Sequence, residues 1–418
     1  MTTEAFPLTA GQASIFLADQ MGAPDGAFTT AVIVEVRGDL RPGSLVDACR
    51  RLARHTAALR LRTGIDDATG RFVQWFAHTP PQVDVVELAD DGQSVVDVAM
   101  AQARVPFDVD GGQLNRMLVV PMRRRSAVVV LIHHLAVDGV SYRTLARRIG
   151  DAVVDTLADE PETAYLDVLH HVHRAEAAAR TNDREHWLRR LPAGVVLPSW
   201  RASGSPVEDA AVEDGRRLVT LEPAPTARLE ARCALAGVGL FPVLAAAVHR
   251  ALPVAGGDLS AVCAAASVRP RGARDGGVLG CFVNEVPLVS HADTGRVEST
   301  LGMAAREASA WHADLARRHH PLGDVAERTV RPDGRLSMAL GSVILSYRRE
   351  PRVLRWRAGG LDFTADLYPR YPTAKAELVI RFFHRPEHLE YEVQWGRHLP
   401  RGLGARFTGD LETALTEA

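Results

Sequence analysis

The chain has 418 residues, 46% of them hydrophobic and 24% charged; these values exclude wholesale disorder, and the length suits two lobes better than one core. Its 49 basic and 51 acidic residues leave a formal net charge of -2, which speaks against a protein built to grip nucleic acid. No run of about 20 apolar residues marks a membrane span, and the opening MTTEAFPLTAGQ lacks the basic start and apolar core of a signal peptide, so a cytoplasmic place is expected.

Helix and strand signals alternate along the whole chain. Residues 9–19 read as a helix, and residues 29–36 (TTAVIVEV) as a strand rich in β-branched side chains. Residues 45–59 carry helical spacing, with Leu45, Ala48, Leu52 and Ala53 on one face. A strand at 71–76 and a helix at 95–104 follow, then strands at 115–122 and 126–133 joined by Arg123, Arg124 and Arg125, a run read as a solvated hairpin tip. Residues 140–157 return to helix, and 165–191 form a long helical stretch interrupted near Thr181 and Asn182. The Gly-, Ser- and Pro-rich segment 197–215 is the best linker signal. Beyond it come a strand at 217–221, helices at 224–235 and 242–252, strands at 261–268 and 278–288, and a helix at 297–318. Strands at 341–347, 376–383 and 389–394 and a closing helix at 402–415 complete the chain. This pattern divides it into an N-terminal lobe (1–175), a connecting helix and linker (176–215) and a C-terminal lobe (216–418).

Most catalytic signatures are missing. There is no GxxxxGK[ST] phosphate loop, Gly237-Val238-Gly239 lacks a third glycine, and Gly139-Val140-Ser141-Tyr142-Arg143 fails the GxSxG pattern at its last position. The four cysteines, Cys49, Cys233, Cys263 and Cys281, form no CxxC, so neither a disulfide framework nor a cysteine zinc site is expected, and a reducing compartment fits. His170, His171 and His173 have no carboxylate or cysteine at ligand spacing and read as a solvated helix face. His312 and Asp314, with His319 and His320 downstream, lie too close together in a helical context for an iron site, so no metal is expected. Lys375 is the only lysine; with the abundance of alanine this reads as codon bias, and a single arginine is not by itself evidence of function.

One constellation stands out, in residues 126–139 (SAVVVLIHHLAVDG). An apolar β-branched run ends in His133-His134, and Asp138-Gly139 follow after three residues. Successive strand side chains point to opposite faces, so only one of the two histidines can face a given cleft. An imidazole with an ordinary pKa of about 6.5 accepts protons near neutrality, and the end of a buried strand positions it rigidly. Asp138 can orient a ring or pair with an arginine, and the Gly139 N–H opens a helix start suited to a developing oxyanion. The bland alternative is a pair of strand-end histidines with an Asp cap.

The stretch His133-His134-Leu-Ala-Val-Asp138-Gly139 resembles the HHxxxDG signature of the condensation domains of nonribosomal peptide synthetases, within the chloramphenicol-acetyltransferase-like acyltransferases; Ser141 is also common there. Further segments resemble that family in the same order: Leu8-Thr9-Ala10-Gly11-Gln12, Arg54 to Arg60 (one residue longer than RHxxLR), Pro106-Phe107-Asp108, and His186-Trp187-Leu188-Arg189-Arg190-Leu191. Ser267-Val268-Arg269, Gly280-Cys281-Phe282-Val283-Asn284, His320-Pro321-Leu322 and Ala374-Lys375-Ala376-Glu377-Leu378 continue it; Glu285 stands where the family usually has threonine.

The resemblance implies an α/β fold of two chloramphenicol-acetyltransferase-like lobes in a V-shaped pseudodimer with a tunnel between them. It implies a condensation enzyme; with no carrier-protein serine motif (LGGxS) and no adenylation motifs in the sequence, a freestanding one is expected, a monomer that meets an acyl or peptidyl carrier protein in trans. No cofactor of its own is implied; the donor acyl group rides on the 4'-phosphopantetheine arm of the carrier, and the acceptor is a small-molecule or carrier-bound amine or hydroxyl. By the same resemblance His134 is the catalytic base or aligning group, and Gly139 offers its N–H to the thioester carbonyl. His133 is structural, Asp138 pairs with Arg269, and Ser141 and Asn284 neighbour the tunnel. Two alternatives stay open, an O-acyltransferase using coenzyme A or a lipid alcohol, and a non-catalytic recruitment domain.

Overall fold

The computed structural model describes residues 4–38, 40–79, 81–89, 92–191, 195–196, 215–252, 259–270, 277–291, 298–326, 329–330, 342–396, 399 and 402–418. Most of the linker expected at 197–215, the start of the helix expected at 297 and the start of the strand expected at 341 therefore lie outside the described residues. The chain forms two compact α/β units. One comprises Met1–Arg174, Val268–Val283 and Pro351–Pro372; the other comprises Ala175–Ser267, Asn284–Glu350 and Thr373–Ala418.

The first unit is built on a six-stranded mixed sheet in the spatial order Val353–Ala358, Leu361–Asp366, Thr29–Arg37, Arg125–His133, Asn115–Pro121 and Val83–Val85. All its pairings are antiparallel except the last. The hairpin Asn115–Pro121/Arg125–His133 pairs Pro121 with Ser126, and Arg123, Arg124 and Arg125 are exposed around its turn. Strand Arg125–His133 lies inside the sheet and is buried from Ser126 onward, which explains its unbroken run of β-branched residues. Its alternate side chains enter two different cores. Val128, Val130 and Ile132 join the larger one with Leu45, Leu52, Leu145 and Ile149 from helices Pro42–Arg54 and Ser141–Val153. Ala127, Val129 and Leu131 join a smaller one with Val95, Val98 and Ala99 from helix Val95–Ala103. Each fully buried aliphatic side chain contributes about 1.5–3 kcal/mol, so both faces of this strand are firmly held.

Boundaries differ from the sequence reading where local chemistry ends an element early. The helix expected over 45–59 runs as Pro42–Arg54, started by a proline in its first turn, and a short 3₁₀ turn covers Ala57–Arg60. Residues 278–282, expected as strand, are not strand; the strand there is Val283–His291. The hairpin Val353–Ala358/Leu361–Asp366 is not expected from the sequence, being short and rich in arginine, yet it adds two strands to the first sheet.

The second unit has its own six-stranded mixed sheet, in the order Val283–His291, Leu259–Ser267, Val343–Arg349, Leu378–His384, Leu389–Trp395 and Gly215–Leu221. Helices Leu240–Ala251, Thr300–Ala316 and Leu403–Glu417 cover one face, burying Val243, Trp311, Phe407 and Leu411 against Leu345, Ile380 and Tyr391. The fold class is thus α/β with two lobes. Among the described residues no single helix is long and apolar enough to cross a membrane.

Candidate active site

His133 is the last residue of its strand, and its side chain shares the parity of Leu131 and Val129, within reach of Phe107 at 6.2 Å between ring centroids. Its Nδ1 accepts the Leu135 N–H at 3.2 Å, so Nε2 carries the proton and donates to Asp19 at 3.2 Å. Both nitrogens are therefore occupied in holding the chain. His134 follows in the turn, and its N–H is fixed by the carbonyl of Phe28 at 2.8 Å. The residue is 7% exposed, and its ring lies against Tyr371 (centroids 6.2 Å, 27° between planes) and has the Cys281 sulfur 3.7 Å from Nδ1. Tyr371 is held by its hydroxyl, 2.7 Å from that of Tyr142.

The turn after the histidines is tied down by charge. Asp138 is wholly buried and receives Arg269 Nη2 on both oxygens at 3.2 and 3.0 Å. The same carboxylate accepts the Ser141 N–H and hydroxyl and the Phe282 N–H, at 2.9–3.0 Å. Arg269 also donates to the carbonyls of Val278 and Gly280 and to the Ser141 hydroxyl, and its guanidinium lies 4.7 Å from the Phe282 ring centre. The Gly280 carbonyl accepts the Asp138 N–H and Arg269 Nη2, and the Ser141 hydroxyl lies 3.1 Å from it. A buried charge saturated in this way keeps the geometry of both loops. Gly139, half-buried, sits between Asp138 and the helix that begins at Ser141.

His133, His134, Asp138, Gly139, Ser141 and Arg269 are thus gathered in one place. Asn284 belongs to the other unit, where its side-chain amide donates to the carbonyls of Arg318 and His320 at 3.0 and 2.7 Å; Glu285 beside it lies 3.7 Å from Lys375.

Sequence reasoning did not single out several residues that build this site. Gln12 caps its helix together with Thr9 and reaches across to the Leu135 carbonyl at 3.0 Å, behind the histidines. Glu160, buried, accepts the Leu279 N–H at 3.3 Å, and desolvation raises its pKa to about 7 despite Arg148 at 3.8 Å. Cys281 and Gln12 stand inside segments already noted for family resemblance, but only contacts reveal what they touch; Tyr371 carried no sequence signal. Among the described residues no three His, Cys, Asp or Glu side chains gather as a metal site.

The arrangement holds an imidazole and, in the turn before a helix, the Gly139 backbone N–H, the types of group that can align a nucleophile and stabilise an oxyanion. A family model described as the condensation domain matches residues 2–346. Bacitracin synthase 3 of Bacillus licheniformis is 26% identical over 183 residues, 40% of this chain and 3% of that protein. Enterobactin synthase component F of Shigella flexneri is 25% identical over 211 residues, 47% of this chain and 16% of that protein. The chain thus spans only a small part of the length of these relatives. Among solved structures, the first condensation domain of the calcium-dependent antibiotic synthetase aligns with a TM-score of 0.72 at 19% identity, covering 100% of this chain and 98% of that one. A variant of the starter condensation domain of rhizomide synthetase, in complex with C8-CoA, aligns at 0.73 and 17% identity, covering 99% and 94%.

Proposed function

The chain belongs to the condensation-domain family of acyltransferases, and from that premise we propose that it joins a carrier-protein-bound acyl or aminoacyl thioester to an amine or hydroxyl acceptor. The product is an amide or ester in natural-product biosynthesis. In this reading the donor arrives on the phosphopantetheine arm of a carrier protein. His134 takes up the acceptor's proton, or aligns the acceptor, as it attacks the thioester carbonyl, and Gly139 donates its N–H to the oxygen as negative charge develops there. His133, Asp138, Arg269 and Ser141 hold these two groups in place and transfer no proton.

The magnitudes suffice. A thioester is already activated, and holding it beside the nucleophile can supply up to about 7–11 kcal/mol. A positioned base adds roughly 10²–10⁴-fold. One observation carries the reading: His134 directly follows a buried strand and opens a turn that the Asp138–Arg269 pair locks, which favours a fixed geometry for the imidazole and the Gly139 N–H. A recruitment domain has no need of such a site. A second reading takes coenzyme A as the donor carrier, favoured by one observation: a domain of this fold holds C8-CoA.

The test is to incubate the purified chain with an acyl-carrier thioester, the matching coenzyme A thioester and a panel of amines and alcohols, and to follow product by mass. Product from the carrier thioester supports the main reading, and product from coenzyme A alone supports the second. A chain that binds carriers but forms no product from either donor is a recruitment domain.

A further inference from the structure

The contact between Cys281 and His134 bears on which ring nitrogen does the chemistry. Taking His134 to act as proposed above, we infer that Cys281 is a positioning residue: its sulfur accepts the Nδ1 proton of His134 and so fixes the tautomer whose Nε2 lone pair meets the acceptor.

A neutral imidazole has one N–H and one lone pair, and the partner of one nitrogen decides the state of the other. Nδ1 of His134 is the nitrogen against the sulfur, at 3.7 Å. A base whose Nδ1 is turned to a buried thiol can only take a proton at Nε2, and Nε2 has its lone pair only when Nδ1 carries the hydrogen. The N–H then points at Cys281. The side chain of Cys281 is wholly buried. A thiol sulfur is a weak acceptor, strong enough to choose between tautomers of similar energy. Tyr371, stacked on the ring, opposes rotation about Cβ–Cγ, which would bring Cδ2 to the place of Nδ1.

The neighbouring histidine is the opposite case. His133 Nδ1 accepts the Leu135 N–H, which requires its own hydrogen on Nε2, against Asp19. Two adjacent histidines are therefore held in opposite tautomers: His133 by a backbone amide and a carboxylate, His134 by a sulfur.

The experiment labels the histidines of the full chain with nitrogen-15 and reads the ring tautomers by NMR at about pH 8.5, where an ordinary imidazole is neutral. The His134 signals are identified by their loss in His134→Gln. We expect the Nδ1–H form for His134 and the Nε2–H form for His133. Cys281→Ala, or Cys281→Val should the alanine variant not fold, moves His134 toward the Nε2–H form and leaves His133 unchanged; Cys281→Ser, with a hydroxyl acceptor, restores the Nδ1–H form. In the turnover assay Cys281→Ala lowers kcat about tenfold at unchanged KM, serine recovers most of it, and Cys263→Ala, an equally buried cysteine of the other unit, alters neither readout. A wild-type His134 in the Nε2–H form overturns the inference, and so does a tautomer indifferent to residue 281. Absence of any product overturns the acyl-transfer reading and leaves the tautomer measurement standing.

Discussion

Asp138 and Arg269 stand 131 residues apart in the chain, yet a 3.0 Å ion pair joins them with both side chains buried. Around them the Ser141 hydroxyl, the Phe282 N–H and the Gly280 carbonyl complete the polar shell. Such a pair is stable only as a whole. Asp138→Ala leaves a buried guanidinium without its counter-charge and is expected to cost about 3–5 kcal/mol of stability, read as a lower urea midpoint. A midpoint equal to that of the wild type removes the pair from the support of the site.

The two histidines are expected to separate by phenotype. His134→Ala lowers turnover by about two to four decades with an unchanged circular dichroism spectrum. His133→Ala does the reverse. It removes the acceptor of the Leu135 N–H and the partner of Asp19, and costs about 1–3 kcal/mol of stability. Wild-type turnover in His134→Ala takes this residue out of the reaction.

Much of this was legible in the sequence, for physical reasons. A buried central strand must be continuously apolar, so VVVLI marked itself, and the polar residues that end such a run had to serve some end. Regular elements such as Arg71–Phe76 and Pro223–Leu235 follow from spacing and, for the helix, from the proline that opens it. Long-range placement does not follow from spacing. Nothing local tells that the short hairpin Val353–Ala358/Leu361–Asp366 extends the first sheet, because an edge hairpin with one wet face carries a weak apolar signal. Nor does any local pattern bring Tyr371 onto His134; Arg269 was attached to Asp138 by family resemblance alone.

Gly280 tests how tightly the second loop is built. A Cβ at this position would overlap the Phe282 ring, which is itself packed against Arg269 and Tyr165. Gly280→Ala therefore displaces either the ring or the carbonyl that receives Asp138 and Arg269. A destabilisation of about 1–3 kcal/mol is expected, together with a loss of turnover larger than that of a surface Gly→Ala control such as Gly409→Ala, which meets open space. Equal behaviour of the two variants shows that the loop yields freely.

Glu160 adds a pH dependence to the first unit. Desolvation raises its folded pKa to about 7, against 4.5 for the free group. Between these values the folded state keeps a proton that the unfolded chain has lost, so the contribution favours folding at low pH and is lost as pH rises from about 4.5 to about 7. Glu160→Gln keeps an acceptor for the Leu279 N–H and removes the titration. Its stability relative to the wild type is expected to increase over that window by about 1–3 kcal/mol, measured by urea unfolding at a series of pH values. A difference that stays flat with pH shows that Glu160 titrates normally.

His249 in the second unit slopes the other way. It lies buried against Trp311, rings 5.2 Å apart and 12° from parallel, with Nδ1 2.8 Å from the Ser260 hydroxyl. Desolvation lowers its pKa to about 3 from 6.5. The unfolded chain takes up a proton below about 6.5 that the folded unit refuses until about 3, so stability falls as pH falls through that range. Charging this ring requires opening the core formed by helices Leu240–Ala251 and Thr300–Ala316. Acid unfolding of the second unit is therefore expected to be steeper in the wild type than in His249→Phe, which keeps an aromatic face for Trp311 and has nothing to protonate. Hydrogen exchange at amides of Leu240–Ala251, followed from about pH 6.5 downward and corrected for intrinsic rates, reads this directly. If protection in the wild type and in His249→Phe declines in parallel, burial of this imidazole is not what makes the second unit acid-sensitive.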